Sequence, residues 1–361
     1  MRKELIIFNP SIEDGGVEKN LFLISNYFVN HDIKTSIISA DGNKKNKFDR
    51  KINFIFPKNT NFQNSGRYKK YFYCLLLLAK RIFLVRNVVV FSFQANIYST
   101  ILSKFLGAKI IVRMNTAPQG WKHNFIKKKI YKYFIKKADG IIVNSKIFQK
   151  EVKKRFNVKP IFINNPFDFK KIKKLSYVRS KNFYNSNTLK LITVGRLNEQ
   201  KDHLTILKSM KILNNAKINF QLLVIGKGNF ENFLKSYTRN NNLSKKVKFL
   251  GYKKNPYPFM NKSQIFILSS LYEGSPNVLI EALFLKNKVI SSNCPTGPRE
   301  ILMKEKNSLM FKIRDHKDLA KKIIFMSNNL SVKKINKTFF DKYDNKFICN
   351  KYKNYINKFL I

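Results

Sequence analysis

Acidic side chains are scarce in this sequence. Only 21 Asp and Glu stand against 71 Lys and Arg over 361 residues, a formal net charge of +50. A field of that sign draws polyanions such as phospholipid headgroups, nucleic acid and phosphorylated substrates. Lys, Asn, Ile, Phe and Tyr are abundant together and share AT-rich codons, so the placement of the charge says more than its sum. Cysteine is nearly absent: Cys74, Cys294 and Cys349 lie far apart, which excludes a disulfide framework and a cysteine-based metal site and leads us to expect a reducing compartment. Long apolar runs are missing too. The longest, Tyr71 to Ala79, is far short of the roughly 20 residues a spanning helix needs and reads as a core or interfacial helix. The opening MRKELIIFNP is too short in its apolar part for a signal h-region, so no secretion signal is expected. No repeat of short period is visible.

What is present is enough apolar material to fold. Hydrophobic residues make up 44% of the chain and aromatic ones 14%, which excludes wholesale disorder, and the length suits two domains of roughly 100–200 residues. Short apolar runs alternate with amphipathic stretches from end to end, the pattern of βαβ units on a parallel sheet. Strands are expected at Leu5 to Phe8, Thr35 to Ser39, Asn53 to Phe56, Val88 to Phe91, Ile110 to Arg113, Ile141 to Asn144 and Ile161 to Ile163. Helices are expected at Val17 to Val29, Tyr68 to Val85, Ile97 to Leu106, His123 to Lys137 and Lys146 to Phe156. From Asp168 to Lys190 the periodicity lapses and Lys, Ser and Asn gather, which reads as an exposed connection. The rhythm then restarts with LKLITVG, QLLVIG, KVKFLG, QIFILS and KVISS. Two Rossmann-like domains follow, at 1–170 and 188–337, with a helical tail at 338–361 expected to pack back on the first. Ligands of such sheets bind at the carboxyl ends of the strands, which directs attention to an interdomain cleft.

The segment richest in chemistry is LYEGSPNVLIEALFL, Leu271 to Leu285. Ser275 as N-cap and Pro276 at the first helical position would open a helix there, leaving the amides of Asn277 and Val278 to attract a phosphate. Glu281 falls inside an otherwise apolar helix, where an ionised carboxylate needs a partner: a Lys or Arg from elsewhere, or a hydroxyl-rich ligand. Glu273 precedes it by seven intervening residues, so both carboxylates can address one nucleotide-sugar. In VGRLNEQKDHLTIL, Arg196 and Lys201 flank a strand-to-helix loop and could neutralise a diphosphate, with Asp202 as the next helix cap. In DGGVEKN, Gly15 and Gly16 let the backbone approach a ligand at another helix start. VIGKGN reads as a plain strand-to-helix turn, and His123 and His203 as lone surface histidines.

These segments in this order resemble the retaining glycosyltransferases of family 4. The likeness rests on GGVE, VGRLNEQKD, EGSPNVLIEAL and SSNCPTGPREIL, and is strongest from about Leu189 to Ile301. It implies the GT-B fold, an α/β architecture of two Rossmann-like domains with parallel sheets facing an interdomain cleft, the first binding acceptor and the second the nucleotide-sugar. By this resemblance Glu281 would bind the ribose hydroxyls and Glu273 would contact the donor sugar at the reacting carbon. Arg196 and Lys201 would hold the phosphates, Ser275, Asn277 and Val278 would line the phosphate site, and Gly15 and Gly16 would let the donor close against the first domain. No metal and no cofactor are implied, in keeping with the lack of a clear Asp-x-Asp motif. Where many members carry a histidine after the IIVRMNTAP strand, this chain has Arg113, Met114 and Asn115, so Arg113 or Asn115 becomes the candidate sugar contact.

The expected reaction is transfer of a hexose or N-acetylhexosamine from a nucleotide-sugar, a UDP-sugar by preference, to a polysaccharide or lipid-linked oligosaccharide. The segment Trp121 to Lys137 interleaves lysines with aromatic and aliphatic residues and, with Tyr68 to Arg86 nearby in sequence, suits an anionic membrane face. The location implied is cytoplasmic, peripheral on the inner face of the cell membrane, in polysaccharide or lipopolysaccharide synthesis. A sugar-nucleotide epimerase would keep the fold and nucleotide site. A basic nucleic-acid-binding protein would leave Glu273 and Glu281 unexplained, so no nucleic-acid partner is expected.

Overall fold

The computed structural model describes residues 3–13, 15–58, 62, 65–115 and 125–360, the side chains of 125–128 excepted. The chain divides into two compact units, Met1–Phe167 with Asp341–Ile361, and Asp168–Phe340. In chain order the first unit forms β1 (Glu4–Phe8), α1 (Gly16–Val29), β2 (Thr35–Ile38), β3 (Asn53–Ile55), α2 (Arg67–Val85), β4 (Val88–Ser92), α3 (Asn96–Phe105), β5 (Lys109–Met114), α4 (Phe125–Ile135), β6 (Gly140–Val143), α5 (Lys146–Phe156) and β7 (Ile161–Phe162). The second unit forms α6 (Phe169–Ser176), β8 (Leu189–Val194), α7 (His203–Asn215), β9 (Phe220–Ile225), α8 (Glu231–Asn240), β10 (Val247–Gly251), α9 (Tyr257–Asn261) and β11 (Ile265–Leu268). It continues through α10 (Asn277–Phe284), β12 (Lys288–Ser292), α11 (Pro298–Leu302), β13 (Ser308–Phe311), α12 (His316–Ser327) and α13 (Lys337–Asp341). The chain then returns to the first unit as α14 (Asn345–Leu360).

The first sheet runs β3-β2-β1-β4-β5-β6-β7 and the second β10-β9-β8-β11-β12-β13, with every described pairing parallel. Near-continuous apolar strands such as VVVFS in β4 and IFIL in β11 are buried along their whole length, as a sheet covered on both faces requires. One face of the first sheet packs α1 and α14 over Leu5, Ile7, Val89 and Phe91, with Ile348, Cys349, Tyr352 and Ile356 supplied by α14. The other face packs α2, α4 and α5 over Ile6, Val90, Ile110 and Val112. In each sheet the strand order reverses once, between β1 and β4 and between β8 and β11. Such switch points part the flanking loops and open a crevice at the carboxyl ends of the strands.

Three local expectations are corrected and one is refined. The stretch 168–190 is not a featureless connection: it begins with α6, whose N-cap Asp168 accepts a hydrogen bond from the Lys171 amide at 2.9 Å. The low apolar content of FKKIKKLS hid a helix that buries only Ile172 and Ser176. Ser275 is not the cap of α10, since Pro276 takes that place with extended backbone and Asn277 is the first helical residue. Asp202 stands at the N-cap of α7 as expected, its carbonyl accepting from the Thr205 amide at 3.1 Å, but its side chain makes no cap hydrogen bond to the backbone. It sits in the left-handed region at φ 45° and accepts instead from the Thr205 hydroxyl at 2.7 Å. The strand β13 was not anticipated, because SLMF is short and its alternation is weak.

Candidate active site

At the second switch point, β8 ends at Val194 and the chain turns through Gly195 and Arg196 to a short 3-10 turn at Glu199–Lys201. Across from it, the chain leaving β11 runs through Ser269 to Pro276 before α10 begins. Backbone and side chains stitch the two loops together: Leu271 N donates to Gln200 O at 2.8 Å, Gln200 Nε2 to Tyr272 O at 2.8 Å, and Ser269 Oγ to Lys201 O at 2.7 Å. This stitching brings the Lys201 ammonium onto Glu273 Oε1 in a largely buried ion pair. The Ser270 hydroxyl donates to the same carboxylate oxygen at 2.6 Å, and the Thr296 hydroxyl donates to the Glu273 carbonyl. Both the side chain and the backbone of Glu273 are therefore held in place. An ammonium carries three donors, so Lys201 can serve Glu273 and a further anion together.

Glu281 lies one face of α10 further on, buried, and receives the Tyr257 hydroxyl on Oε1 at 3.1 Å. The expected partner was a Lys or Arg or a ligand; a phenol from α9 is one of the groups that contact it. Asn277 is buried and Val278 half-buried at the start of α10, and Ser275 is half-buried just before. Arg196 is exposed. The Cys294 thiol nearby is pushed up to about 12, first by burial and then by the Glu273 charge, so it stays protonated.

Glycines shape this end of the sheet. Gly226, at the end of β9, has φ +151° and lies so close to β8 that an added Cβ would stand 1.8 Å from Gly195 O. A Cβ on Gly228 would meet Leu197 O at 2.2 Å, and one on Gly297, at φ +81°, would meet Gly274 O at 2.6 Å. VIGKGN is thus more than a plain turn: its backbone presses on the Arg196 loop, and PTGPRE presses on the Glu273 loop. Glycine spacing was the signal available for these contacts. Tyr257, Ser270 and Thr296 had none, because only folding sets them beside Glu281 and Glu273.

His203 is another correction. It is 4% exposed rather than superficial, and burial, then the Lys201 charge, lowers its pKa to about 3. His123 lies outside the described residues.

At the first switch point, Gly15 is the N-cap of α1 and Gly16 its first residue, with the Gly15 amide donating to Glu18 Oε2 at 2.9 Å. The loop ahead of it is clamped. Ile12 N donates to Asp41 Oδ2 at 2.7 Å while Lys70 Nζ holds Asp41 Oδ1 at 2.7 Å, and Gln94 bonds both the amide and the carbonyl of Ser11 at 3.2 and 2.9 Å. Neither Asp41 nor Gln94 stands in a motif, so neither was foreseen.

Arg113 is wholly buried at the end of β5. Its guanidinium donates to Tyr352 Oη at 2.9 Å, to Asn165 Oδ1 at 2.6 Å and to Asn115 Oδ1, with the Phe93 ring 5.2 Å away. Asn115 in turn donates to Phe93 O at 3.0 Å. Fixed donors and a buried carboxylate at a strand-order reversal suit a ligand bearing both phosphates and hydroxyls.

Two doubly wound parallel units with this site define a protein of the GT-B fold. Among solved structures it is similar to a glycosyltransferase of Rickettsia africae, with a TM-score of 0.79 and 19% identity over 99% of both chains. It is also similar to HepE of Anabaena, solved with UDP and glucose, with a TM-score of 0.80 and 14% identity over 99% of this chain and 100% of that one. Residues 178–339 match the family model described as glycosyl transferases group 1. An uncharacterized glycosyltransferase of Methanocaldococcus jannaschii is 39% identical over 49% of this chain and 45% of its own length. A Campylobacter jejuni enzyme, named as adding N-acetylgalactosamine to a sugar-loaded diphospho-undecaprenol, is 27% identical over 60% of each. The chain thus spans about half the length of these curated relatives.

Proposed function

We propose that the chain is a glycosyltransferase that moves a hexose or N-acetylhexosamine from a UDP-sugar to a lipid-linked oligosaccharide or polysaccharide, with retention and without a metal. The observation that carries this reading is the Lys201–Glu273 pair, fixed beside the start of α10 with Glu281 buried further along the same helix. The amides of Asn277 and Val278 with Ser275 would take the phosphates, as helix N-termini do. Arg196 and Lys201 would neutralise the diphosphate as it leaves. Glu281 would accept the ribose hydroxyls, Glu273 would face the donor sugar, and Gly15 and Gly16 would admit the donor from the first unit. Asn115, oriented by Arg113, would reach a sugar hydroxyl.

For retention, the acceptor oxygen attacks the anomeric carbon on the face from which the diphosphate departs. The bond from carbon to phosphate oxygen breaks, and that oxygen takes the acceptor proton. Catalysis is then positioning and electrostatic support of the leaving group, with cations and helix amides in the place a metal would fill. The name of the Campylobacter relative favours a lipid-linked acceptor and that of HepE, solved with UDP, a uridine donor. Such an acceptor suits an enzyme peripheral on the inner face of the cell membrane. The segment proposed for that contact, 121–137, is described in full only from Lys129 on, where Ile130 and Tyr133 are exposed.

Calorimetric titration of UDP and GDP into wild type and Glu281→Ala at moderate salt tests the donor site. Saturable binding of UDP, weakened by about 1–3 kcal/mol in the variant, is expected. Equal, salt-sensitive binding of both nucleotides by both proteins would overturn it. UDP release that depends on added acceptor separates transfer from epimerisation.

A further inference from the structure

The outer face of α2 and α3 breaks the rule that a surface helix turns polar side chains to water. On α2, Cys74, Leu78 and Ile82 face the core, yet Tyr68, Phe72, Leu76 and Phe83 form a second apolar stripe on the opposite side, exposed by 51–77%. The helix α3 is inverted. It buries Ser99, Thr100 and Ser103 against the sheet and exposes Tyr98, Ile101 and Phe105, the last at 86%. Two of its hydroxyls are served internally: Ser99 Oγ donates to Ser92 Oγ at 2.9 Å and Thr100 Oγ1 to Asn96 O at 2.6 Å, while the buried Ser103 Oγ has no hydrogen-bond partner among the described residues. The two helices adjoin through Tyr71 and Tyr98, ring centres 6.1 Å apart, and α4 lies against α3. Large apolar patches of this kind mark interaction surfaces.

Charge names the occupant. The sequences of α2, α3 and α4 hold five, one and four Lys or Arg and no Asp or Glu. Exposed Lys69, Lys80, Lys109 and Lys132 lie on or beside them, while Lys104 is paired to Asp139 at 2.6 Å. A second copy of the same face would bring cation to cation, which opposes association. We propose that the α2–α3 face docks on an anionic phospholipid bilayer, its aromatic and aliphatic side chains entering the headgroup boundary while the lysines meet lipid phosphates. The proposal rests on and deepens the reading of a lipid-linked acceptor, and centres the contact on the joint face of α2 and α3 rather than on 121–137.

The test is sedimentation of the whole chain with vesicles of phosphatidylcholine alone or mixed with phosphatidylglycerol, at moderate salt, for wild type and Phe72→Ser/Phe83→Ser/Phe105→Ser. These three side chains are exposed, so the variant keeps its fold, checked by circular dichroism. Binding to the anionic vesicles that falls about tenfold in the variant is expected, since bilayer affinity follows the apolar area inserted. Equal binding by both proteins would overturn the proposal and mean bulk charge alone, as would wild-type binding indifferent to phosphatidylglycerol. A wild-type dimer that the substitutions convert to a monomer, seen by light scattering, would assign the face to a second copy. Titration of UDP into the same variant reports the donor site independently, so loss of lipid binding with UDP binding intact separates this proposal from the nucleotide reading.

Discussion

The Lys201–Glu273 pair is a largely buried ion pair, and on the proposed reading its ammonium would also meet the departing diphosphate while its carboxylate faces the sugar. Removing one member of such a buried pair strands the other. Lys201→Ala is therefore expected to lower kcat about 10²–10³-fold and to cost roughly 3 kcal/mol of stability. The double variant Lys201→Ala/Glu273→Gln should regain most of the stability in a denaturant titration while staying inactive in acceptor-dependent UDP release. Recovered activity would show that the pair is structural alone. His203 gives a second prediction. Its folded pKa is depressed to about 3 from 6.5, so below pH 6.5 the unfolded chain takes a proton that the folded chain refuses. Stability should fall as pH drops from 6.5, by up to about 2 kcal/mol at roughly pH 5. His203→Gln should flatten that part of a stability–pH profile measured by urea unfolding. At this scale Glu273, Glu281, Lys201 and Arg196 are legible as motif residues. Tyr257, Ser270, Thr296, Asp41 and Gln94 are not, because a lone Tyr, Ser, Thr, Asp or Gln carries no signal until the chain brings it to its partner.

Among the elements, the loops at the carboxyl ends of β8, β9, β11 and β12 act as one assembly through backbone contacts that leave no room for a side chain. Gly226→Ala would place a methyl group 1.8 Å from Gly195 O, and neither backbone can retreat without parting β8 from β9. A drop of several °C in Tm is expected from calorimetry, with weaker nucleotide binding because the Arg196 loop is displaced. An unchanged Tm would mean that these loops yield more easily than the packing implies. Strands and helices were read well wherever apolar runs were long and bounded by turn residues. Local structure departs from expectation where signals are weak or where a cap depends on geometry: α6 is half lysine, β13 is four residues long, and α10 begins one residue later than Pro276.

Across the molecule, the C-terminal helix completes the first unit. Ile348, Cys349, Tyr352 and Ile356 of α14 are buried in its core, and the Tyr352 hydroxyl receives a hydrogen bond from the buried Arg113 guanidinium. Four such side chains at about 1.5–3 kcal/mol each match the whole stability of a typical domain. Removing residues 345–361 should leave the first unit unfolded, read as loss of its cooperative transition and of soluble expression. Tyr352→Phe, which keeps the ring and deletes one acceptor from a buried cation, should cost about 1–3 kcal/mol and retain the fold.

Periodicity and turn chemistry act between neighbours in the chain, and so the alternation of strand and helix, the parallel sheets and the loop motifs at the switch points could be read from the amino-acid order alone. Which side chain meets which across 70 or 240 residues depends on how the sheets wind and what the helices cover. Only the tertiary structure therefore decided that Lys201 grips Glu273, that Arg113 is sealed by Tyr352, and that α3 turns its hydroxyls inward and its aromatic residues to the outside.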